Sequence, residues 1–399
     1  MNVIKKIYCR TFQAALRAAQ PILPYREPEI LRGVDEIAAV LKGRSIKSAL
    51  LVTGPTVRKS GLTLPLEESL KECGIACAVF DKTCANPTVE NVEEARETYL
   101  REKCECLIAF GGGSAMDCAK AAGARIARPE KSLEKLKGTL RVIKKIPLLI
   151  AVPTTAGTGS EVTLAAVITD GEKKYKYTVN DFTLIPRFAV LDPKTTFSLP
   201  PNLTATTGMD ALTHAVEAFI GRATCKATRE KAIEAVRLVL GNIERAHENG
   251  RDEEARANML KAAYAAGIAF SKSYVGYVHA VAHSLGGQYN IPHGLANAVL
   301  LPIVLEGYGK SAEKKLHRLA VAAGVAEKED GCAVGARKFI EAIRALNGRL
   351  HIPATLDGIR AEDIPSMAKR ADREANPLYP VPRLMNAEEL QQFYFAAMG

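Results

Sequence analysis

The chain has 399 residues, of which 47% are hydrophobic and 25% charged, and its formal net charge is +10. This length allows two domains with separate cores, and because no run of about 20 apolar residues occurs, we expect no membrane span, no membrane partner and a cytoplasmic location. The basic residues are spread along the chain and the nine cysteines are odd in number and scattered, which argues against a nucleic-acid partner and against a disulfide framework.

Short apolar runs alternate with helical patterns in the first half of the chain. Strands are predicted at SALLVTG (48–54), IACAVF (75–80), CLIAFGGG (106–113) and IPLLIAVPTT (146–155). Helices are predicted between them at LTLPLEESLKECG (62–74), TVENVEEARETYLREK (88–103) and SAMDCAKAAGARIA (114–127). This alternation indicates a parallel sheet that is covered by helices on both faces.

The pattern changes near residue 200. VTLAAVITD (162–170) and KKYKYTVN (173–180) predict a hairpin, and FAVLD (188–192) predicts one more strand. From Thr204 onward nearly every segment is rich in Ala and Leu at helical spacing. We therefore predict an α/β plus all-α protein, with a dinucleotide-binding domain over 1–200 and a helical metal- and substrate-binding domain over 201–399. The residues before about Ser45 are predicted to form a helical lead-in to the first strand.

Two turns after predicted strands suit a phosphate group. CLIAFGGGSAMDCAK (106–120) passes from a strand through three glycines into a helix that opens at Ser114. Glycines let the backbone approach a phosphate, and the start of a helix favours an anion. Met116 stands where the usual dinucleotide fingerprint has glycine, so a tight turn without a ligand is the alternative. PTTAGTGSE (153–161) adds hydroxyls after a second strand, and the pair favours a bound nucleotide pyrophosphate.

Five side chains in the second half could hold a metal. Asp210 and His214 are four residues apart in GMDALTHAVEAF (208–219), so they share one face of a helix. His279 and His283 repeat this spacing, and His293 follows Pro292 in a loop. A lone histidine is more often a hydrogen-bonded core residue or a surface residue, but five candidates among small apolar residues favour a site for iron or zinc. Such a metal beside a nicotinamide nucleotide predicts hydride transfer.

The motifs also resemble those of the iron-containing (group III) alcohol dehydrogenases, over nearly the whole chain. They are GGGSAMD, PTTAGTGSE, GMDALTHAVEAF and HAVAHSLGGQYNIPHGLANAVLLP. The resemblance implies Fe²⁺, with zinc as the alternative, held by Asp210, His214, His279 and His293. It places His283 near the nicotinamide and substrate, where the ring could relay a proton.

The resemblance implies further positions for the cofactor and the substrate. The implied cofactor-binding residues are Gly112, Gly113, Ser114, Asp117, Thr154, Thr155, Asn86, Thr163 and Lys176. Phe270 falls where the family has a phenylalanine that lines the substrate pocket, and packing in the core is the equal alternative.

One position departs from the family members that prefer NAD. Gly54 stands at the end of the first strand, where those members carry an aspartate that binds the adenosine ribose. Its absence removes the repulsion of a 2′-phosphate, and Arg58 or Lys59 could supply positive charge. We therefore expect NADP(H) to be favoured, with NAD(H) as the alternative.

The function implied is a metal-dependent alcohol dehydrogenase or aldehyde reductase for small primary alcohols or diols. The alternatives are a polyol oxidoreductase like glycerol dehydrogenase and a lyase like dehydroquinate synthase. A protein that merely binds nucleotides or nucleic acid would leave the ligand set unexplained. The resemblance further suggests a homodimer or a larger homo-oligomer.

Overall fold

Two units divide the chain in the computed structural model, which describes residues 1–171 and 175–399. The first unit is Pro24–Leu199, and the second combines Met1–Leu23 with Pro200–Gly399. The strands are β1 (Glu29–Leu31), β2 (Ser48–Val52), β3 (Ala76–Phe80), β4 (Cys106–Gly111), β5 (Gly138–Thr139), β6 (Leu148–Pro153), β7 (Ala165–Asp170), β8 (Tyr175–Asn180) and β9 (Phe188–Val190).

The helices follow the same numbering along the chain. Those up to residue 199 are α1 (Val3–Ala19), α2 (Glu36–Lys42), α3 (Pro55–Lys59), α4 (Leu64–Glu72), α5 (Val89–Arg101), α6 (Gly113–Ala127) and α7 (Leu133–Leu136). The later ones are α8 (Pro201–Ile220), α9 (Lys226–Glu248), α10 (Glu253–Ser273), α11 (Tyr277–Tyr289), α12 (His293–Tyr308), α13 (Lys310–Ala322), α14 (Cys332–Arg349), α15 (Ile364–Ala375) and α16 (Ala387–Ala397). The predicted α/β plus all-α fold class is confirmed.

A six-stranded parallel sheet forms the centre of the first unit. Its strand order is β1-β9-β6-β4-β2-β3, and every neighbouring pair runs parallel. Side chains alternate between the two faces: Leu50 and Val52 of β2 join one buried cluster, whereas Ala49 and Leu51 join the other. Both faces are therefore covered, as the continuous apolar runs predicted.

The predicted hairpin forms a second, smaller sheet. Its strands β7 and β8 pair antiparallel from Ala165 opposite Asn180 to Asp170 opposite Tyr175, and β5 lies parallel to β8 on the other side. Lys173 and Lys174, where we expected the second strand to begin, lie outside the described residues.

The N-terminal segment differs from the prediction. We assigned residues 1–200 to the α/β domain, but Met1–Leu23 packs with the helical unit. The physical reason is a set of polar contacts from α1: Arg10 donates to the carbonyl oxygens of Val381 and Pro382 at 2.8 and 3.0 Å, and Gln13 donates to that of Tyr379 at 2.8 Å. Such long-range contacts leave no pattern in the local sequence.

A short strand within the expected helical lead-in was also missed. Strand β1 has three residues and lies at the edge of the sheet beside β9. Ile30 at its centre is exposed, so the strand shows no alternation of apolar and polar residues that would reveal it.

Helix α8 lies at the centre of the second unit. It is buried on nearly every side because its apolar and small residues surround the axis, and it packs against α9, α10 and α12. A Cβ atom at Gly208 would lie 2.6 Å from Ile243 of α9 and 2.7 Å from Met259 of α10. Glycine at this position therefore lets three helices approach closely. Among the described residues, no helix is both long enough and apolar enough to cross a membrane.

Candidate active site

Helix α8 carries two of the predicted metal ligands into the core. Asp210 is 2% exposed and His214 is 5% exposed, and the Oδ1 atom of the aspartate lies 3.9 Å from Nδ1 of the histidine. The spacing of four residues places both on one face of the helix, as predicted. A carboxylate this deep in a protein requires cationic or hydrogen-bonding partners.

The third predicted ligand, His279, is positioned by a residue that the sequence did not reveal. Glu217, two turns after Asp210 on α8, accepts hydrogen bonds of 2.8 Å from the backbone N–H groups of Gly276 and Val278. Its Oε2 atom lies 2.6 Å from Nδ1 of His279. A Cβ atom at Gly276 would lie 2.5 Å from Oε1 of Glu217, so glycine is needed for this approach. Glu217 thus binds the start of α11 and orients the His279 ring.

His293 is the first residue of α12, where Pro292 precedes it. A Cβ atom at the next residue, Gly294, would lie 2.5 Å from the carbonyl oxygen of Thr206, so glycine allows α12 to approach α8. One turn later Asn297 donates to Oδ1 of Asp210 at 2.7 Å and lies 3.1 Å from Nε2 of His293. The amide therefore links the carboxylate to the imidazole.

Three of the four predicted ligands, Asp210, His279 and His293, bring donor atoms together, and His214 lies beside Asp210. Oδ1 of Asp210 lies 3.7 Å from Nε2 of His279 and 3.5 Å from Nε2 of His293, and donor atoms of these three residues lie within 4.8 Å of one another. Ligand atoms about 2.1 Å from a tetrahedral ion are about 3.4 Å apart, so the spacing suits a bound cation. Nδ1 of His214 and Nε2 of His279 are buried, and within the described part of the chain neither has a hydrogen-bond partner.

The charges of Asp210 and His214 also fit a cation. Burial alone would raise the pKa of Asp210, but the rings of His214, His293 and His279 hold it well below its ordinary value. Burial lowers the pKa of His214 to about 3, so this ring is neutral. An ionised carboxylate beside a neutral imidazole is a donor set that Fe²⁺ and Zn²⁺ accept.

His283 lies beside the cluster with different partners. Its Nδ1 atom is 2.6 Å from Oε1 of Glu374, and the hydroxyl of Tyr379 donates to the same oxygen at 2.8 Å. The His283 side chain is 40% exposed, whereas that of His279 is 2% exposed. The His283 ring stacks on that of His293 with centroids 5.2 Å apart. The structure thus separates His283 from the buried side chains of Asp210, His214 and His279, whereas the side chain of His293 is as exposed as that of His283.

Phe270 of α10 contacts the cluster directly. Its ring stacks on His214 with centroids 4.2 Å apart and an interplanar angle of 15°. The phenylalanine therefore fixes the plane of one predicted ligand. We had predicted that Phe270 lines the substrate pocket or packs in the core, and neither alternative included this contact.

The two predicted phosphate turns lie side by side in the first unit. A Cβ atom at Gly112 would lie 3.3 Å from the side chain of Thr155, and one at Gly113 would lie 3.0 Å from that of Thr158. Gly112 is the N-cap of α6, so backbone N–H groups at the start of this helix face the region of the turns. The N–H of Thr154 donates to Gly111 at 3.0 Å and joins the ends of the two strands.

Three more of the expected cofactor residues form a chain of contacts. The backbone N–H of Asn86 donates to Oγ of Ser114 at 3.4 Å, and Lys176 donates to Oδ1 of Asn86 at 2.9 Å. Asn86 has a φ of 60°, a left-handed conformation that asparagine tolerates better than most residues. The contacts bring together residues from three separate segments of the chain.

Asp117 and Thr163 belong to a buried network around Lys120, which the sequence did not single out. Nζ of Lys120 is fully buried and donates to Oγ of Ser160 at 2.9 Å, to Oγ1 of Thr163 at 2.8 Å and to two backbone carbonyls. Asp117 accepts from Ser160 at 3.1 Å and from the N–H of Val167 at 3.2 Å. The lysine therefore holds the second turn against α6.

Burial governs the charges of this network. It lowers the pKa of Lys120 to about 8 and raises that of Asp117 to about 6, while the attraction between the two residues opposes both shifts. Burial also raises the pKa of Glu161 to about 7, and this side chain is 1% exposed.

The surroundings of Gly54 distinguish the two cations, Arg58 and Lys59, that we expected near a cofactor 2′-phosphate. Gly54 is the N-cap of α3, and a Cβ atom there would lie 3.1 Å from the carbonyl oxygen of Thr83. Arg58 forms an ion pair with Glu67 and donates to Thr63 at 2.8 Å, whereas Lys59 is exposed. Of the two cations proposed from the sequence, Arg58 is therefore paired with a carboxylate of α4, and Lys59 is the one left to offer its charge to a cofactor.

Four residues of the two sites were missed. Glu217 and Asn297 lie at helical spacing from Asp210 and His293, so their positions in the motifs could have revealed them. Lys120 follows the glycine turn in CAK, where a lysine among small apolar residues is a signal of burial. Glu374 has no comparable signal, because it reaches His283 from a helix 91 residues away in sequence.

The matches to known proteins agree with this geometry. A model described as "Iron-containing alcohol dehydrogenase" matches residues 29–193, and one described as "Fe-containing alcohol dehydrogenase family, C-terminal" matches residues 204–398. The chain belongs to the iron-containing alcohol dehydrogenase family. It is therefore an oxidoreductase that uses iron and a nicotinamide cofactor.

Individual members of the family are similar over most of their length. Alcohol dehydrogenase 4 of Saccharomyces cerevisiae (strain YJM789) is 38% identical over 86% of this chain and 89% of its own. The crystal structure of a 1,3-propanediol oxidoreductase has a TM-score of 0.90 at 35% identity and covers 94% of this chain and 99% of its own. Sulfoacetaldehyde reductase from Bifidobacterium kashiwanohense, in complex with NAD⁺, has a TM-score of 0.83 at 28% identity and covers 94% of this chain and 98% of its own.

Proposed function

We propose that this protein interconverts small primary alcohols or diols and their aldehydes, with Fe²⁺ held by Asp210, His214, His279 and His293. The observation that carries the proposal is the convergence of the buried carboxylate oxygen with three imidazoles at 3.5 to 3.9 Å. The names of the relatives support this substrate class, since one is a 1,3-propanediol oxidoreductase and another an alcohol dehydrogenase.

The residues around the proposed iron have distinct tasks. A bound divalent metal supplies Lewis acidity toward the substrate oxygen. Asp210 contributes negative charge, while Glu217 and Asn297 fix the orientations of His279 and Asp210 through hydrogen bonds. Phe270 holds the ring of His214 in one plane. The protein thus presents its donor atoms in a prearranged geometry.

His283 is proposed to move the proton of the substrate hydroxyl. Its Nδ1 donates to Glu374, which leaves Nε2 as the acceptor of the neutral ring. Exposure of the side chain lets the ring pass the proton on to water. Replacement by alanine should keep the iron and lower kcat by about 10²- to 10⁴-fold, the usual contribution of a general base. Loss of iron in His283→Ala would instead make this residue a ligand.

The cofactor is proposed to bind across the two turns of the first unit. Gly112, Gly113 and Ser114 approach the pyrophosphate, with Thr154 and Thr155 alongside. The other proposed contacts are Asn86, Asp117, Thr163 and Lys176. Since Asp117 and Thr163 are hydrogen-bonded inside the Lys120 network, their contribution is to hold the turns in place.

NADP(H) is the proposed preference. Gly54 offers no carboxylate to bind a ribose 2′-hydroxyl or to repel a 2′-phosphate, and exposed Lys59 supplies a positive charge five residues later. Arg58 contributes less because Glu67 neutralises it.

One experiment separates the proposed function from its rivals. Protein purified without oxygen is analysed for iron and zinc, and absorbance at the nicotinamide band is followed with NADPH or NADH and a panel of small aldehydes, diols and glycerol. We expect bound iron and turnover of NADPH with small aldehydes. Full turnover without metal would refute the metal proposal, glycerol as the best substrate would favour a polyol enzyme, and no net change in the nicotinamide would favour a lyase.

Assembly and location stay predictions. A homodimer or larger oligomer is expected, and light scattering measures its mass. The predictions of no nucleic-acid partner and of a cytoplasmic location are checked by nucleic-acid binding assays and by cell fractionation.

A further inference from the structure

Helix α1 presents a largely apolar face to solvent. Ten residues of α1 are exposed, and eight of them fall within an arc of about 140° when drawn at 3.6 residues per turn. They are Val3, Ile4, Ile7, Tyr8, Thr11, Ala14, Ala15 and Ala18. All but one are apolar, whereas a globular protein normally turns such a face toward its core.

The opposite face of α1 binds the protein through polar contacts. Lys5 forms an ion pair with Asp372 at 2.9 Å, Gln13 is 4% exposed, and Arg10 donates to two backbone carbonyls. These contacts fix which side of the helix faces outward. Ile4 is 80% exposed and Ile7 is 62% exposed as a result, so large apolar side chains stand in water on a helix that is firmly attached.

Helix α1 also lies outside the residues that the family models match. The first of these matches begins at residue 29, whereas α1 ends at Ala19. An exposed apolar face on a segment outside these matches needs an explanation beyond the dehydrogenase reaction.

The residues around this exposed face are basic, which favours an anionic partner. Residues 1–26 contain five lysines and arginines and no aspartate or glutamate. Lys6 and Arg17 are exposed and border the apolar arc near the two ends of the helix. Both lie on the same side of the arc, so an antiparallel pairing of two copies through α1 would bring Lys6 of one copy toward Arg17 of the other. Like charges would then be opposed, which disfavours this pairing with a second copy.

We propose that the exposed face of α1 lies on an anionic lipid surface. Isoleucines and a tyrosine on one face of a helix, bordered by lysine and arginine, are the features of helices that lie in the plane of a membrane interface. The aliphatic side chains enter the boundary of the acyl chains, Tyr8 lies at the level of the headgroups, and Lys6 and Arg17 pair with lipid phosphates. Such a helix lies on the membrane and does not cross it. The proposal therefore replaces our expectation of no membrane partner, and it agrees with the absence of an apolar run long enough to span a membrane.

The test uses the full-length protein and sedimentation with lipid vesicles. Vesicles of phosphatidylcholine with phosphatidylglycerol are compared with vesicles of phosphatidylcholine alone, at low and at high salt. We expect binding to the anionic vesicles that weakens with salt, because exposed charges are screened. The double variant Ile4→Ser with Ile7→Ser should bind at least about tenfold more weakly, since burial of one isoleucine is worth about that factor.

Two matched variants complete the test. Val334→Ser with Leu378→Ser changes two apolar residues that are each 36% exposed in the same unit, and should leave binding unchanged. Lys6→Glu with Arg17→Glu should remove the preference for anionic lipid. Absence of binding by the wild type, or equal binding by the Ile4 and Ile7 variant, overturns the proposal. A fall in mass by light scattering in that variant, without vesicle binding by the wild type, would identify a second copy as the partner and would also overturn it.

All these variants should keep iron content and aldehyde turnover, because none of the changed residues is among the proposed catalytic, metal-binding or cofactor residues. Failure of the lipid proposal is therefore distinguishable from failure of the proposed function.

Discussion

The metal cluster of the helical unit and the phosphate turns of the α/β unit are built by different means. In the cluster, side chains from three helices converge, and two buried ring nitrogens are left for a ligand. In the turns, glycines bring backbone segments together, and the ammonium of a buried lysine lies within hydrogen-bond distance of four oxygen atoms of these segments. The metal cluster depends on the donor atoms of individual side chains. The phosphate turns depend on the conformation in which the backbone is held.

The largest expected effect follows from removal of one donor in the metal cluster. His279→Ala should lose iron and lower turnover at least about a thousandfold, because the Lewis acid is lost together with its ligand. Elemental analysis and the nicotinamide assay measure the two quantities. His247→Ala, which changes a histidine of α9 outside the cluster, should retain both. A His279→Ala protein with bound iron and normal turnover would contradict the assigned ligand set.

The buried network of the α/β unit should make stability depend on pH. The unfolded chain ionises Glu161 near pH 4.5, whereas burial raises the pKa in the folded protein to about 7. The stabilisation from this residue is therefore fully present below about pH 4.5 and is lost as pH rises through about 7, by on the order of 3 kcal/mol.

Thermal unfolding of Glu161→Gln measures this effect. The Tm of the variant should rise relative to that of the wild type as the pH increases from about 5 to about 8, because Glu161 of the folded wild type loses its proton over this range. Glu68→Gln changes an exposed carboxylate of α4 and should show no such gain. A constant difference in Tm between Glu161→Gln and the wild type would show that the carboxyl keeps its ordinary pKa.

Glu217 and Glu374 allow a comparison within the helical unit. Glu217→Gln should weaken iron binding about 10- to 100-fold, since carboxylates that orient a ligating histidine commonly contribute that much. Glu374→Gln should lower turnover while iron is retained, because Glu374 contacts His283 and not the buried donors. Iron titration of the metal-free protein measures the affinity in both variants, and the nicotinamide assay measures the turnover. Equal iron affinities in the two variants would contradict the assignment of Glu217 to the ligand His279 and of Glu374 to the proton carrier His283.

The smallest expected effect concerns the choice of cofactor. Lys59→Glu should lower kcat/KM for NADPH about fivefold, as expected for one exposed charge near a 2′-phosphate, and leave that for NADH unchanged. Lys71→Glu provides the control, because Lys71 is an exposed lysine of α4 in the same unit. An unaltered ratio of the two cofactors in Lys59→Glu would remove Lys59 from the proposed preference.

Sequence reasoning succeeded where a local rule was enough. The apolar runs predicted β2, β4 and β6 because a strand buried on both faces has few polar positions. An apolar run also predicted β3, although this edge strand is mostly half-buried. The spacing of Asp210 and His214 placed both on one face of α8. By contrast, β1 is a three-residue edge strand with an exposed centre, and no local pattern marks it.

The residues that were missed act over long distances in the chain. Glu217 reaches His279 across 62 residues, and Lys120 reaches Ser160 across 40. The side chain of Glu374 has the same chemistry as many exposed glutamates until α15 places it beside His283. Neither composition nor periodicity encodes which of several glutamates will meet a given histidine.

The sequence by itself determined the alternation of strands and helices, the two glycine turns and the types of donor available to a metal, because each follows from the periodicity or chemistry of neighbouring residues. Only the tertiary structure decided that α1 packs with the helical unit and turns Ile4 and Ile7 to solvent, and that His279 is buried while His283 is exposed. These outcomes depend on the carbonyls and carboxylates that distant helices present, and packing fixes them after the local elements have formed.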